Sequence, residues 1–176
     1  NAARTNRKGI EAGTSVKLLK GLDLSVAYTW SHFRYTDYAA LTIEIDSTGN
    51  FVRKEKDFSG NFVPSVPENN LYLALNFTNE IYDYFHFFAK ISYHGVSGLW
   101  VDDANSDKTQ GYNIINTLIG YDVSYKNFNF LFSVGINNIF DEIYVGFTNT
   151  NSADKRFYEA GAPRNYFASL KLGYTF

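Results

Sequence analysis

The chain holds 176 residues with a formal net charge of −2; 45% are hydrophobic and 18% aromatic, with 16 Phe and 14 Tyr against no Met and no Cys. That balance leaves no basic footprint for nucleic acid, and without cysteine there are no disulfide staples and no thiolate metal or redox centres. No run approaches the ~18 consecutive apolar residues of a transmembrane helix, a test that a transmembrane β-barrel escapes because half of each strand is polar. The chain opens at Asn1 in mid-pattern, without initiator Met or signal peptide, and reads as a mature or truncated piece.

In chain order, the stretch from Gly9 to Lys20 alternates, with Ile10, Ala12, Val16 and Leu18 on one face and Glu11, Ser15 and Lys17 on the other. A tight turn at Lys20-Gly21 leads to a second alternating run, in which Leu22, Leu24, Val26, Tyr28 and Trp30 share a face, so the pair is a hairpin. Residues 32–67 are polar with scattered aromatics; 40–46 and 51–58 flank a Ser47-Thr48-Gly49-Asn50 turn and form a projecting hairpin, and Pro64 and Pro67 punctuate the return. Leu71 to Thr78, a short connection at 79–83, and Phe85 to His94 make the next pair. A second long polar loop, 95–111, precedes Ile115 to Tyr125, a tight Lys126-Asn127 turn and Phe128 to Asn137. A third long loop spans 141–163, and the last strand runs from Tyr166 to Phe176.

That last strand sets the interpretation. Its apolar face reads Tyr166, Ala168, Leu170, Leu172, Tyr174, Phe176, and its other face Asn165, Phe167, Ser169, Lys171, Gly173, Thr175. Aromatics at both ends with aliphatics between suit two interfaces and the hydrocarbon between them, and the length is roughly the 9–11 residues of a tilted bilayer-crossing strand. The other strands agree: Tyr28, Trp30, Tyr93 and Tyr166 fall toward the long loops, and Phe77, Phe85, Tyr125, Phe128, Tyr174 and Phe176 toward the short turns. A soluble β-sandwich or lipocalin-like barrel also alternates, but does not need that order. The fold class is therefore all-β, an antiparallel transmembrane barrel segment of about seven strands. Seven is odd, whereas bacterial single-chain barrels are even-stranded and an open sheet leaves two sticky edges. The chain is thus expected to be part of a larger barrel.

Three passages carry a resemblance to a known family. Gly135-Ile136-Asn137-Asn138-Ile139-Phe140-Asp141-Glu142-Ile143-Tyr144 resembles the penultimate-strand motif of the TonB-dependent receptors of Gram-negative outer membranes. Gly161-Ala162-Pro163-Arg164-Asn165-Tyr166-Phe167 through Tyr174-Thr175-Phe176 resembles their last strand, and Pro64-Ser65-Val66-Pro67 a strand approach upstream. The resemblance implies a 22-stranded barrel filled by a separate N-terminal plug, of which residues 1–176 would be the C-terminal portion, with the plug absent from this chain. It implies residence in the outer membrane, contact with lipid and lipopolysaccharide, and uptake driven by the inner-membrane TonB complex through the plug. Tyr174 and terminal Phe176 resemble the assembly signal. The implied cargo is a small-molecule chelate, foremost a ferric siderophore, with haem, cobalamin, oligosaccharide or a passive porin-like channel as the alternatives. No resident cofactor, enzymatic activity or nucleic-acid partner is implied.

Long-loop residues of such receptors meet the ligand first. Arg34, Tyr35, Tyr38, Trp100, Arg156, Phe157 and Tyr158 are the candidates, because Arg matches carboxylates or catecholates and aromatics stack on a chelate. No metal site is expected. His86 and His94 are eight residues apart on one strand, roughly 27 Å, and His32 lies elsewhere. Asp103-x-Asn105-x-Asp107 imitates the start of a calcium loop, but Lys108 and Ile114 stand where Gly and Glu are needed. No nucleophile elbow places a serine, and Glu11, Lys17, Lys90, Asp122 and Lys171 fall on the wet face. Leu170→Arg or Leu172→Arg should cost about 2–4 kcal/mol near the bilayer midplane, while Ser169→Arg should be mild. Urea titration of the barrel refolded in lipid vesicles reads the difference, and equal costs would remove the assignment of faces.

Overall fold

A computed structural model describes residues 3–152 and 156–176. Eleven strands follow in order: β1 (Arg4–Leu19), β2 (Leu22–Asp37), β3 (Ala39–Ile45), β4 (Phe51–Asp57), β5 (Asn69–Tyr82), β6 (Phe85–Val96), β7 (Tyr112–Tyr125), β8 (Phe128–Asn137), β9 (Val145–Thr148), β10 (Tyr158–Ala160) and β11 (Asn165–Tyr174). Seven of them form one antiparallel sheet in the order β1-β2-β5-β6-β7-β8-β11, so the seven expected strands are those observed. The sheet does not return on itself, and β1 and β11 are its edges. The hairpins β3–β4 and β9–β10 are separate two-stranded pieces.

Three differences from the expected elements have a common cause. β1 begins at Arg4 rather than Gly9, β2 runs on to Asp37, and β5 continues to Tyr82. In each case the ladder outlasts the apolar alternation, because pairing needs only a neighbouring strand, whereas alternation is imposed by the solvent on one face. The third long loop carries the short strands β9 and β10, four and three residues long.

Register keeps the two faces separate across the whole sheet. One apolar rung runs Val16–Leu24–Leu75–Ile91 and continues through Thr117 and Ile136 to Tyr166. The adjacent wet rung runs Ser15–Ser25–Ala74–Ser92–Asn116, with the Ser15 and Ser25 hydroxyls 3.0 Å apart. A one-residue slip would exchange these rows, so the register is fixed by the face that must stay apolar. The apolar row is the exposed one, with Leu172 at 64% and Phe132 at 43%, while Ala74 on the other face is at 2%. The sheet therefore encloses no dry centre. Of the five buried hydrophobic residues among those described, Phe58, Val101 and Phe157 lie in the loops.

The strands are staggered. The rung through Leu22, at the short-turn end of β2, passes Phe77, Ala89, Ile119 and Val134 and meets β11 at Ala168, six residues before Tyr174. Tilted strands of a barrel require such an offset. Two of the aromatics on the wet face, Phe88 and Phe167, also have a reason. The Phe88 ring covers Gly120 and the Phe167 ring covers Gly135, where an added Cβ would come within 2.3 and 2.4 Å of ring carbons. Each ring shields backbone that the glycine leaves bare.

Past β8 the chain is held by a clasp built from the penultimate-strand and last-strand motifs. Asn138 is 3% exposed and sits at φ 52°, a left-handed conformation that Asn tolerates better than most residues. Its Nδ2 donates to Glu142 O at 2.9 Å and Ala162 O at 3.2 Å, and its Oδ1 accepts from Glu142 N at 2.8 Å. Asp141 accepts from Arg164 N at 2.8 Å and stands 4.0 Å from the Arg164 guanidinium. Residues far apart in sequence thus fix how β11 approaches β8. Asn138→Ala should lower stability by about 2–4 kcal/mol, from the lost bonds and the left-handed backbone together. Asn138→Gly should cost about 1 kcal/mol less; denaturant midpoints of the full-length protein check the order, which a purely side-chain role would not produce.

Candidate functional site

The long-loop side is organised around one carboxylate. Asp103, in the β6–β7 loop, accepts from Tyr35 Oη at 2.5 Å on Oδ1 and from Tyr38 Oη at 3.1 Å and Asn151 Nδ2 at 2.9 Å on Oδ2. Its backbone N–H donates to Asn151 Oδ1 at 3.0 Å, and its carbonyl accepts from Asn61 Nδ2 at 2.8 Å. Four segments are tied there: the end of β2, the return after β4, the β6–β7 loop and the segment after β9. Neighbouring bonds reinforce the knot. Asn105 exchanges bonds with the Phe62 backbone at 2.7 and 2.9 Å, and the Ser65 hydroxyl lies 2.6 Å from those of both Thr148 and Thr150. Val101 is completely buried beneath it.

The electrostatics follow from this geometry. Burial first, and then the hydrogen bond to Asp103 and its charge, raise both the Tyr35 and the Tyr38 hydroxyl above the ordinary tyrosine value. Tyr158 donates to Asp107; burial and then that bond push its hydroxyl up to about 12. The same bond, with the Lys108 N–H, holds the Asp107 carboxyl below its usual range. The Asp103, Asn105 and Asp107 side chains therefore serve three different loop contacts. No group of three or more His, Cys, Asp or Glu that could hold a metal occurs among the described residues.

The sequence candidates divide as follows. Tyr35 and Tyr38 meet on Asp103, with rings 4.7 Å apart. Arg34 and Tyr35 lie on the end of β2 rather than in a loop. Arg34 lays its guanidinium 3.9 Å over the Phe62 ring and donates to His32 at 3.1 Å and Gly60 O at 2.7 Å. Phe62 in turn stacks on Trp100 at 6.4 Å, and the Lys108 ammonium lies 5.1 Å over Trp100. The Trp100 indole N–H is buried without a hydrogen-bond partner among the described residues. Tyr158 joins the same loop through Asp107, buried Phe157 packs beside it at 6.2 Å, and Arg156 is exposed. Tyr174 and Phe176 stand apart at the short-turn end, their rings 5.0 Å apart. Sequence reasoning did not find Asn61, Phe62 or Asn151; their contacts span more than 40 positions and leave no local signal. Between β3–β4 and the other loops lies a cleft of about 770 Å³, walled by Leu41, Ile43 and Phe51 and floored by Asp102, Asp103 and Asn151.

Asp103→Ala should free these loops at a cost of about 2 kcal/mol, with faster protease cleavage in 58–68 and 97–111 at pH 7. Because the folded tyrosine values are raised, the contribution of Tyr35, Tyr38 and Tyr158 is complete below about pH 10 and is lost as pH climbs through the folded values. Cleavage should accelerate above pH 10 in the parent, and the step should shrink in Tyr35→Phe/Tyr38→Phe. A pH-independent cleavage rate in the parent would refute this.

Comparison with known proteins places these features. A model of the TonB dependent receptor-like β-barrel matches residues 1–139. The ferric preacinetobactin receptor BauA of Acinetobacter baumannii superposes with a TM-score of 0.71 at 18% identity over 97% of this chain and 22% of the receptor. The siderophore receptor PiuA of the same organism gives 0.69 at 19% over 98% and 22%. The ferric yersiniabactin uptake receptor FyuA of Yersinia pestis gives 0.70 at 17% over 100% and 24%. The chain thus spans less than a quarter of the length of each of these structures. With a family match over more than three-quarters of its residues and the same strand architecture, the chain belongs to the TonB-dependent receptor-like β-barrel family.

Proposed function

We propose that residues 1–176 are the C-terminal part of the barrel of an outer-membrane receptor that imports a ferric siderophore or a related iron chelate. The observation that carries this reading is the family match over residues 1–139; the names of the three superposed receptors support the ligand class. The remaining strands would pair with the free edges of β1 and β11, and a plug outside this chain would fill the lumen and take the pull of TonB. The exposed apolar row would meet lipid, and lipopolysaccharide at its upper end. Tyr174 and Phe176 would be read by the barrel-assembly machinery.

In this reading the ligand first meets the loop cluster. Arg34, Tyr35, Tyr38, Trp100, Arg156 and Tyr158 are the proposed contacts. The Asp103 knot supports it by fixing the rings before binding, which reduces the ordering cost that binding must offset. Trp100 enters this reading through its ring, which stacks with Phe62 and lies beneath the Lys108 ammonium in the same cluster. The test is uptake of radioactive iron chelates by iron-limited cells expressing the full-length protein, with and without a functional TonB. Uptake that requires TonB and falls in Trp100→Ala is expected; uptake indifferent to TonB would point to a passive channel instead.

A further inference from the structure

The wet face of the sheet carries a second site that the loop cluster does not use. At its long-loop end a cavity of about 300 Å³ is lined by His94, Ile114, Asn116, Asn137, Tyr144 and Asn165, together with the clasp. Strand parity puts His94, Asn116, Asn137 and Asn165 on the same face as Ser92 and Ala74, opposite the exposed apolar row. The neighbours Asn138, Tyr144 and Ala162 belong to the connection beyond β8, so the cavity sits at the mouth rather than deep along the wall.

Its chemistry is uniform. The lining has no Lys, Arg, Asp or Glu, and Lys90 on the same face lies 5.8 Å over the Tyr72 ring. Both donors and acceptors are on offer. Asn116 Oδ1 is used by Asn138 N at 2.9 Å, which leaves its Nδ2 to donate. Asn137 Nδ2 donates to Asn165 Oδ1 at 2.9 Å, which leaves its own Oδ1 to accept. His94 Nε2 is engaged with Asn70 Oδ1 at 2.8 Å, and Nδ1 is left. One wall is a fixed aromatic face: Tyr144 packs 4.6 Å from Tyr112 and presses on Gly161, where a Cβ would come within 2.1 Å of the ring. A volume at the low end for small-molecule sites suits one ring rather than a whole chelate.

Rigid neutral amides of both polarities beside an aromatic plane match a ring that is apolar on its faces and hydroxylated at its edge. An anionic group would find no counter-charge here, and burying it unpaired is costly. We propose that this cavity is a subsite for an uncharged polyhydroxylated ring, a neutral saccharide unit. Its source is either a free oligosaccharide or a sugar carried on a chelate. The receptor reading enters only in taking the wet face as luminal.

The experiment uses the full-length protein in detergent and saturation-transfer NMR with maltotriose, cellotriose, xylotriose and, as charged control, trigalacturonate. A ferric tris-catecholate with and without glucosyl groups forms the second arm. At least one neutral trisaccharide, or the glucosylated chelate over the bare one, should show ring-proton saturation, and trigalacturonate should not. Asn116→Ala and Asn137→Ala should each weaken that binding about three- to tenfold, with heat-modifiable migration unchanged. Asn137→Ala leaves the bonds of Asn138 intact, so it remains informative if Asn116→Ala folds poorly. Binding indifferent to both variants, or no neutral probe and no preference for the glucosylated chelate, overturns the proposal. So does hydrogen exchange across 112–116 and 137–144 that rises when the plug is deleted, which would mean that protein fills the cavity. Iron uptake measured in parallel separates the two readings: loss of TonB dependence with sugar binding retained rejects only the transporter, and the reverse rejects only the subsite.

Discussion

A peptide group facing hydrocarbon has no water to bond, so every N–H and C=O of a spanning segment must be satisfied within the protein. In this chain the satisfaction is strand to strand, and the period-2 geometry of a strand then dictates the rest. One row of side chains must suit lipid and the other is released from that demand. The apolar rung from Val16 to Tyr166 and the serine-rich rung beside it are the two results of that single condition. The wet row can then hold glycines, amides and charges, because the lumen neither rewards nor forbids them as lipid does.

Beyond the membrane the ladder no longer suffices, and order passes to side chains. Two small polar residues act as hubs, Asp103 for the loops and Asn138 for the connection into β11. Each collects donors or acceptors from distant segments, so each closes long loops at a stroke and offsets part of their entropy. Three of the five buried apolar residues among those described, Val101, Phe58 and Phe157, lie in these loops. The loops thus have a small dry core of their own, and the sheet has none.

Much of this was legible in the sequence because parity is local. Leu24, Phe132 and Leu172 can be assigned to a face from their neighbours alone, and the structure leaves all three at least partly exposed. Strand ends were not legible. Around Lys8 to Arg4 and His32 to Asp37 the pairing continues after the apolar row has stopped, so no pattern marks the boundary. β9 and β10 are too short to alternate. In the loop cluster, residue type pointed to Arg34, Tyr35, Tyr38, Trp100 and Tyr158, and the fold gathers them around one loop. What joins them could not be read, since the Asp103–Asn151 link spans 48 positions and Asp103 had looked like an imperfect calcium ligand.

The unequal strand lengths carry a mechanical consequence. β2 has 16 residues and β11 has 10, a difference of about 20 Å along the strand. On the β1–β2 side the upper wall is continuous sheet, and bending it outward means parting a ladder. On the β8–β11 side the corresponding height is reached only by a tethered hairpin and the Asn138 clasp, which a few broken contacts would release. The upper margin of the sheet is therefore stiffer along β1–β2, where a ladder holds it, than along β8–β11, where side-chain contacts do.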